Sequence, residues 1–212
     1  PLNTVIGFSE MLQTEAHNLK PDQVSSWAGH VHSAGYRLYR VVENYLLFVR
    51  LQLLIDNGVK ATEDDVTLDL HATIHSQAMS EANKANRDDD LTVEVEDAPE
   101  LWIKDEHATK IVEELINNAF KFSVKGQKVT VRGKKEENAY VVSVEDNGRG
   151  MSGDQMKNIN AFMQFEREDY EQQGLGLGLA LVKQMSEIYG VEFAPLGDKE
   201  NGITVTVRFK LK

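Results

Sequence analysis

The first part of the chain carries apolar residues at helical spacing. Eight of them recur every three or four positions: Val24, Trp27, Val31, Ala34, Leu38, Val41, Tyr45 and Phe48. This heptad seam predicts one long helix. Four upstream residues, Leu2, Val5, Ile6 and Leu12, share the helical spacing, and the segment 18–22, which contains Pro21, separates the two patterns. The sequence therefore predicts two antiparallel helices joined by a short turn.

A lone helical hairpin has little core of its own, so the seam needs a partner surface. We expect a second copy of the hairpin, giving a four-helix bundle in a homodimer. The alternative is that the seam docks only on the C-terminal part of the same chain. The polar stretch after Asp56 predicts a linker. The predicted organisation is a hairpin over residues 1–56, a linker over 57–65 and a second domain over 66–212.

Helical and strand-like segments mix after the linker. Strands are predicted at 66–70, 91–95, 101–103, 129–132, 140–144, 191–194 and 203–209. Helices are predicted at 72–86 and 177–189, and a further helix runs from an N-cap at Asp105 to Ala119. The acidic triplet 88–90 is expected to be a solvated turn. Helices and mainly antiparallel strands predict an α+β fold in which a two-layer α/β sandwich follows the hairpin.

Composition then narrows the functional classes. The 212 residues include 23 Lys and Arg against 34 Asp and Glu, a net charge of −11, which argues against nucleic-acid binding. With no Cys, the chain has no disulfide, thiolate nucleophile or Cys-based metal site. The most apolar stretch, 45–55, is too short to span a bilayer and no signal peptide is visible, so we expect no direct membrane contact from this segment. The chain begins at Pro1 within a helical pattern, which indicates a piece of a longer polypeptide.

One predicted helix carries three different polar groups on one face. Glu114, Asn118 and Lys121 are spaced four and then three residues apart, while Leu115 and Ile116 can face the core. An acid, an amide and an ammonium in one row could hold a metal–phosphate group. Such rows are more often solvated helix faces, so this motif alone is weak evidence.

Two glycine-containing segments add candidate ligand contacts. Asp146 ends a predicted strand and is followed by Asn147, Gly148 and Gly150, a way to build a pocket floor that is also an ordinary turn sequence. The second segment, 174–178, has glycines at alternate positions and opens a helix. Its unpaired N–H groups suit phosphate, although it is neither a P-loop nor a dinucleotide fingerprint.

Taken in this order, the three segments resemble the N, G1 and G2 boxes of the ATP-binding domain shared by histidine kinases, the Hsp90 chaperone, type II topoisomerases and MutL. Residues 162–167, Phe-Met-Gln-Phe-Glu-Arg, resemble the F box of sensor histidine kinases. Residues 1–12 are similar to the stretch just after the phospho-acceptor histidine in the family's dimerisation helix. That histidine begins a His-Glu-x-x-Thr-Pro type pattern, so the resemblance places the acceptor upstream of Pro1.

The resemblance implies ATP and Mg²⁺ as cofactors and assigns catalytic roles. Glu114 would orient or deprotonate the attacking imidazole, and Asn118 would bind Mg²⁺. Lys121 would neutralise phosphate charge, and Arg167 would stabilise the transferring group. Asp146 would accept a hydrogen bond from the adenine amino group. The implied nucleotide contacts are Asn117, Asn118, Lys121, Asp146, Asn147, Gly148, Gly150, Phe162, Phe165, Gly174, Leu175, Gly176, Leu177 and Gly178. Leu175 departs from the family, which often has Ser or Thr there.

The function implied is a two-component sensor histidine kinase core, which transfers the γ-phosphoryl of ATP to a histidine and on to an aspartate of a response-regulator receiver domain. The expected assembly is a homodimer with a cytoplasmic ATP site, and the parent protein could be membrane-anchored. An alternative is a nucleotide-binding pseudokinase or scaffold that acts by dimerisation and partner docking. An ATPase-driven clamp is disfavoured by the F-box-like segment and the hairpin.

Overall fold

The computed structural model describes residues 1–67, 69–150, 177–197 and 202–212. Its helices are α1 (Leu2–Glu15), α2 (Pro21–Asp56), α3 (Leu70–Ala85), α4 (Asp105–Phe122) and α5 (Leu177–Tyr189). Its strands are β1 (Leu91–Val95), β2 (Val129–Lys135), β3 (Ala139–Asp146), β4 (Glu192–Gly197) and β5 (Ile203–Lys210). The predicted α+β class is confirmed.

Helices α1 and α2 form the predicted hairpin. The Phe8 ring stacks on His30 at a centroid distance of 4.7 Å and lies 6.3 Å from Trp27, so the two helices run side by side. Pro21 is the first residue of α2, where its fixed φ favours helix initiation. The helix has 36 residues and continues past the predicted seam to Asp56. Within the described ranges, every helix is too short or too polar to cross a bilayer.

The five strands form one mixed sheet in the order β1-β2-β3-β5-β4, with β1 and β2 parallel and the other neighbours antiparallel. Strand β5 alternates buried and half-buried residues, and its buried side chains join those of α3, α4 and α5 in one core. The other sheet face is polar, since Arg132 lies 2.9 Å from Glu94 and 2.6 Å from Glu145 on the flanking strands. The sheet and its helices therefore form the predicted two-layer sandwich.

Several element boundaries differ from the sequence prediction. The strand expected at 101–103 is not formed, and only Leu101 makes isolated bridges, with Thr67 and Leu211. The strand expected at 66–70 is reduced to one bridge between Thr67 and Leu101, because the Asp69 carboxylate accepts a hydrogen bond from Ala72 N at 3.0 Å and starts α3 at Leu70. Asp105 is the first helical residue of α4 rather than its N-cap.

The acidic triplet 88–90 is not fully solvated, in contrast to the prediction. Asp90 is buried, and its carboxylate accepts hydrogen bonds from Arg87 Nε at 2.8 Å and from Gly126 N at 2.9 Å. The Arg87 hydrogen bond holds the pKa of Asp90 below its ordinary range. Arg87 also donates to the carbonyls of Phe120 at 3.1 Å and Gln127 at 2.7 Å. This ion pair fixes the end of α4 and the loop that follows.

The second helix of the hairpin also contributes to the core of the sandwich. Leu51 of α2 is fully buried in that core, and Leu47 and Phe48 pack against it. Gln52 accepts a hydrogen bond of 2.8 Å from Gln184 of α5. Phe48, the last residue of the predicted seam, therefore packs within the same chain, whereas the alternative interpretation expected the whole seam to dock there.

Candidate nucleotide site

Helix α4 has an apolar face in the core and a polar face outside it, as its sequence predicts. Leu115 and Ile116 are buried in the core, while Glu114 and Asn118 face the start of α5. A Cβ placed on Gly178, the second residue of α5, would clash with Glu114 Oε2 and contact Asn118 Nδ2 at 3.6 Å. The structure thus brings together two of the polar residues of α4 and a glycine of the third predicted segment.

A small cavity opens beside these residues between α4, α5 and the sheet. It is lined by Leu115, Asn118, Ala119, Phe122, Val144, Asp146, Leu179, Ile203 and Val205. Mostly apolar walls with two convergent polar side chains are typical of a ligand pocket. The cavity measures about 10 Å³, room for about one water molecule. Binding of a ring the size of a nucleobase would therefore require the walls to separate.

Asp146, at the end of β3, is the buried acid of this cavity. Burial raises the pKa of its carboxyl to about 6. Its Oδ1 accepts a hydrogen bond of 2.8 Å from Gly148 N. A Cβ at Gly148 would clash with Phe122 O, and Gly202, at φ +79°, stands directly against the Asp146 carbonyl. Glycine is required at both positions because the backbone approaches the acid so closely.

Glu114 is a second buried acid and has several donors around one oxygen. Its Oε1 lies 2.8 Å from Lys110 Nζ on the preceding turn of α4. Two residues of α2 also face this oxygen, Asn44 Nδ2 at 3.2 Å and Arg40 Nη2 at 3.6 Å. Because a buried carboxylate is costly without partners, these donors compensate for the burial of the Glu114 side chain.

Two cations line the end of α4. Lys121 Nζ and the Arg149 guanidinium each lie 5.0 Å from the centre of the Phe122 ring. Burial lowers the pKa of Lys121, and the nearby Glu114 charge opposes that shift. Arg149 was not among the predicted site residues, although its place between Gly148 and Gly150 was a signal for it. A polyanionic ligand would find positive charge here.

Asn118 carries the clearest sign of an absent partner. Its Nδ2 is buried and has no hydrogen-bond partner among the described residues. A buried amide without a partner is destabilising, so such a group calls for an explanation. Since a flip exchanges the two ends of an amide, its oxygen can face the same space. The donor set fits an Mg²⁺ ion that shares one protein oxygen with phosphates and water.

Other predicted residues take different positions. Asn117 faces α3, where its Nδ2 donates to Glu81 Oε2 at 2.8 Å, so the structure does not bring it to the cavity. Asn147 is exposed, Gly150 adopts φ +63° and Leu177 is buried at the start of α5. The remaining predicted residues lie outside the described ranges: Phe162, Phe165, Arg167, Gly174, Leu175 and Gly176.

A comparison with protein families decides the membership of the chain. Residues 103–212, more than half of its length, match the family described as histidine kinase-, DNA gyrase B-, and HSP90-like ATPase. The chain belongs to this ATPase family. The matched region contains α4, the cavity and α5, so the candidate site lies within the ATPase domain of the chain.

Individual relatives place this ATPase-family member among proteins named as histidine kinases. A protein of Rhizobium meliloti named as an uncharacterized sensor-like histidine kinase is 26% identical over 216 residues, 98% of this chain and 39% of its own length. The crystal structure of full-length ShkA in complex with AMPPNP covers 100% of this chain and 44% of its own, with a TM-score of 0.69 at 24% identity. The Acinetobacter baumannii histidine kinase AdeS gives 0.65 at 16% identity, over 99% of this chain and 95% of its own.

These matches confirm the resemblance to sensor histidine kinase cores and the fold that it implied. They cover the hairpin as well as the ATPase domain. The chain spans only about a third to two fifths of the length of the curated relatives that it matches.

Proposed function

We propose that this chain is the catalytic core of a sensor histidine kinase, which transfers the γ-phosphoryl group of ATP to a histidine and then to an aspartate of a response-regulator receiver domain. The observation that carries the proposal is the unpartnered, buried amide of Asn118 beside the Glu114 carboxylate and Gly178. This group stands in a family ATPase domain joined to a helical hairpin.

The cavity supports ATP as the nucleotide. A buried carboxylate at Asp146 accepts hydrogen bonds, so it would select a base with an exocyclic amino group, such as adenine. The apolar walls formed by Leu115, Val144 and Ile203 would cover the ring faces. Gly148, which donates to Asp146, has no room for a side chain.

The phosphate end of the nucleotide would lie toward Asn118 and Gly178. Bound Mg²⁺ would supply neutralisation of phosphate charge, and the Asn118 amide oxygen would hold it. Lys121 would add positive charge, as would Arg167, which lies outside the described ranges. The glycine segment 174–178, of which residues 177 and 178 are described, would direct backbone N–H groups at the phosphates.

Glu114 would act on the acceptor histidine. Its carboxylate lies between Gly178 and helix α2, so it could orient the imidazole N–H and take its proton as the N–P bond forms. Stabilisation of charge on the γ-phosphoryl oxygens accounts for most catalysis in phosphoryl transfer. Glu114 would therefore contribute orientation rather than the largest share of the rate.

The hairpin supports a homodimer with a four-helix bundle. Large apolar side chains are exposed along α1 and α2: Leu2, Ile6, Met11, Val24, Tyr36, Tyr39, Val42, Tyr45, Leu46, Val49 and Leu53. Such a stripe marks an interaction surface. The receiver domain would approach the same bundle, where the acceptor lies. We place the ATP site in the cytoplasm, on the side where a receiver domain is found.

The test uses the full-length protein with Mg²⁺ and γ-labelled ATP. We expect label that is acid-labile and base-stable, and its loss in the variant Asn118→Ala. Asn83→Ala is the matched control, because Asn83 is an exposed amide of α3 bonded only to the carbonyl of Met79 among the described residues. ATP binding without label would favour the pseudokinase or scaffold, and steady hydrolysis without a phosphoprotein would favour a clamp.

A further inference from the structure

Helix α2 reaches the catalytic face of α4 with two polar side chains. Arg40 Nη2 lies 3.0 Å from Glu113 Oε1 and 3.6 Å from Glu114 Oε1. Asn44, one turn further along α2, donates from Nδ2 to Glu114 Oε1 at 3.2 Å. Residues four apart share a helix face, so the two side chains form one polar patch directed at α4.

This contact differs from an ordinary surface ion pair. The Glu114 side chain is 5% exposed, so the donors around it replace contacts with water that it has lost. Its Oε1 faces the hairpin, whereas its Oε2 faces Gly178, at the phosphate end of the proposed site. One carboxylate thus connects the hairpin to the place where phosphoryl transfer would occur.

The position of Arg40 and Asn44 along the hairpin can be compared with that of the expected acceptor histidine. Phe8 of α1 packs against Trp27 and His30 of α2, which sets the register of the two antiparallel helices. The acceptor expected five residues before Pro1 would stand twelve residues before Phe8. If α1 continues upstream as a helix, that position is level with residues 39–42 of α2. Arg40 falls within this range and Asn44 lies about half a turn beyond it.

We propose that Arg40 and Asn44 are positioning residues that seat the Glu114 carboxylate against the hairpin at the level of the acceptor histidine. This inference rests on the proposed function and names residues outside the ATPase domain that the reaction requires. Arg40 binds Glu113 and so docks α4 on α2, while Asn44 fixes the orientation of the Glu114 carboxylate. Neither side chain touches the cavity in which the base would bind.

The test measures histidine labelling in the full-length protein for Arg40→Ala and Asn44→Ala. Misplacement by about 1 Å can cost a reaction up to about a hundredfold, so we expect each variant to lower kcat by about tenfold. The KM for ATP and the affinity for a nucleotide analogue should stay within about twofold, because the nucleotide contacts are intact. The matched control is Arg37→Ala, since Arg37 is an exposed arginine of the same helix.

A charge reversal separates positioning from general loss of structure. Arg40→Glu should lower kcat more than Arg40→Ala, because it faces two acids. Adding Glu113→Arg to Arg40→Glu restores opposite charges across the same contact and should recover part of the rate.

Three results would overturn the inference. An unchanged rate in Arg40→Ala would show that the contact is not needed, and a raised rate would show that it restrains the enzyme. A loss of nucleotide affinity in these variants as large as their loss of kcat would show that the substitutions act on the ATP site. Failure of the unaltered protein to label histidine is a different outcome, and it would refute the proposed function together with this inference.

Discussion

Replacement of Asp146 by Asn should stabilise the nucleotide-free protein while weakening nucleotide binding. Burial raises the pKa of this carboxyl from 3.8 to about 6, so the folded state disfavours its charge at pH 7. A raised pKa means that the folded protein binds the proton more tightly than the unfolded chain does. The contribution of Asp146 to stability is therefore largest at low pH and is lost as the pH rises through about 6.

The magnitude follows from the shift in pKa. A difference of about two units corresponds to about 3 kcal/mol at pH 7. This is an upper value, because water that reaches the carboxylate screens its charge. An Asn side chain has the same shape, keeps an oxygen for Gly148 N and carries no charge. We expect Asp146→Asn to raise the free energy of unfolding by about 1–3 kcal/mol at pH 7.

Urea denaturation at pH 7 and at pH 4.5 measures this effect. The gain should shrink at pH 4.5, where the native carboxyl is mostly protonated. Glu145→Gln is the control, because Glu145 is the adjacent acid but lies on the solvated sheet face beside Arg132; its replacement should change stability by less than about 1 kcal/mol. The reasoning would be refuted by a variant that is no more stable at pH 7, or by a gain that persists undiminished at pH 4.5.

Substitutions at three further positions test the packing of the domain. Gly148→Ala should destabilise the domain by about 3 kcal/mol and weaken ATP binding, because the new methyl group clashes with Phe122 O; unchanged thermal unfolding would contradict this. Arg87→Met should cost about 3 kcal/mol or more in urea denaturation, since the buried carbonyls of Phe120 and Ser123 lose their donor, and Arg87→Lys should recover part of the loss. Burial lowers the pKa of His107, so its stabilising contribution is present above its ordinary pKa of 6.5 and is lost as the pH falls. The free energy of unfolding should therefore vary less between pH 7 and pH 5 in His107→Gln than in the unaltered protein. The same pH dependence in both proteins would refute this prediction.

Local patterns predicted most of the secondary structure. Helix α5 ends at Tyr189 as predicted, because its apolar periodicity continues to that residue. Strand β1 matches 91–95 for a similar reason, since its apolar and polar residues alternate. The bridge between Thr67 and Leu101 could not be predicted in this way, because it depends on residues far apart in the sequence.

The candidate site shows the same division. The helical spacing of Glu114 and Asn118 predicted that they share a face, and they do. That spacing did not predict that Asn117 would face Glu81, nor that Arg40 would reach Glu114 from seventy-four residues upstream. The acidic triplet 88–90 did not predict that Asp90 would be buried. Its hydrogen bond with Arg87 is buried only because α4 and the loop after it cover the pair. The assigned roles in the nucleotide site remain predictions.

The buried position of Leu51 has a consequence for dissecting the protein. A fragment that began after Asp56 would retain every element of the sheet, yet it would lose the side chain that α2 inserts into the core and expose the apolar surface of α5 to water. At roughly 25 cal/mol for each Å² of apolar surface, even one such side chain is worth a substantial fraction of a small domain's stability. The border between hairpin and ATPase domain is thus clear in the sequence but passes through a shared apolar layer in the folded protein.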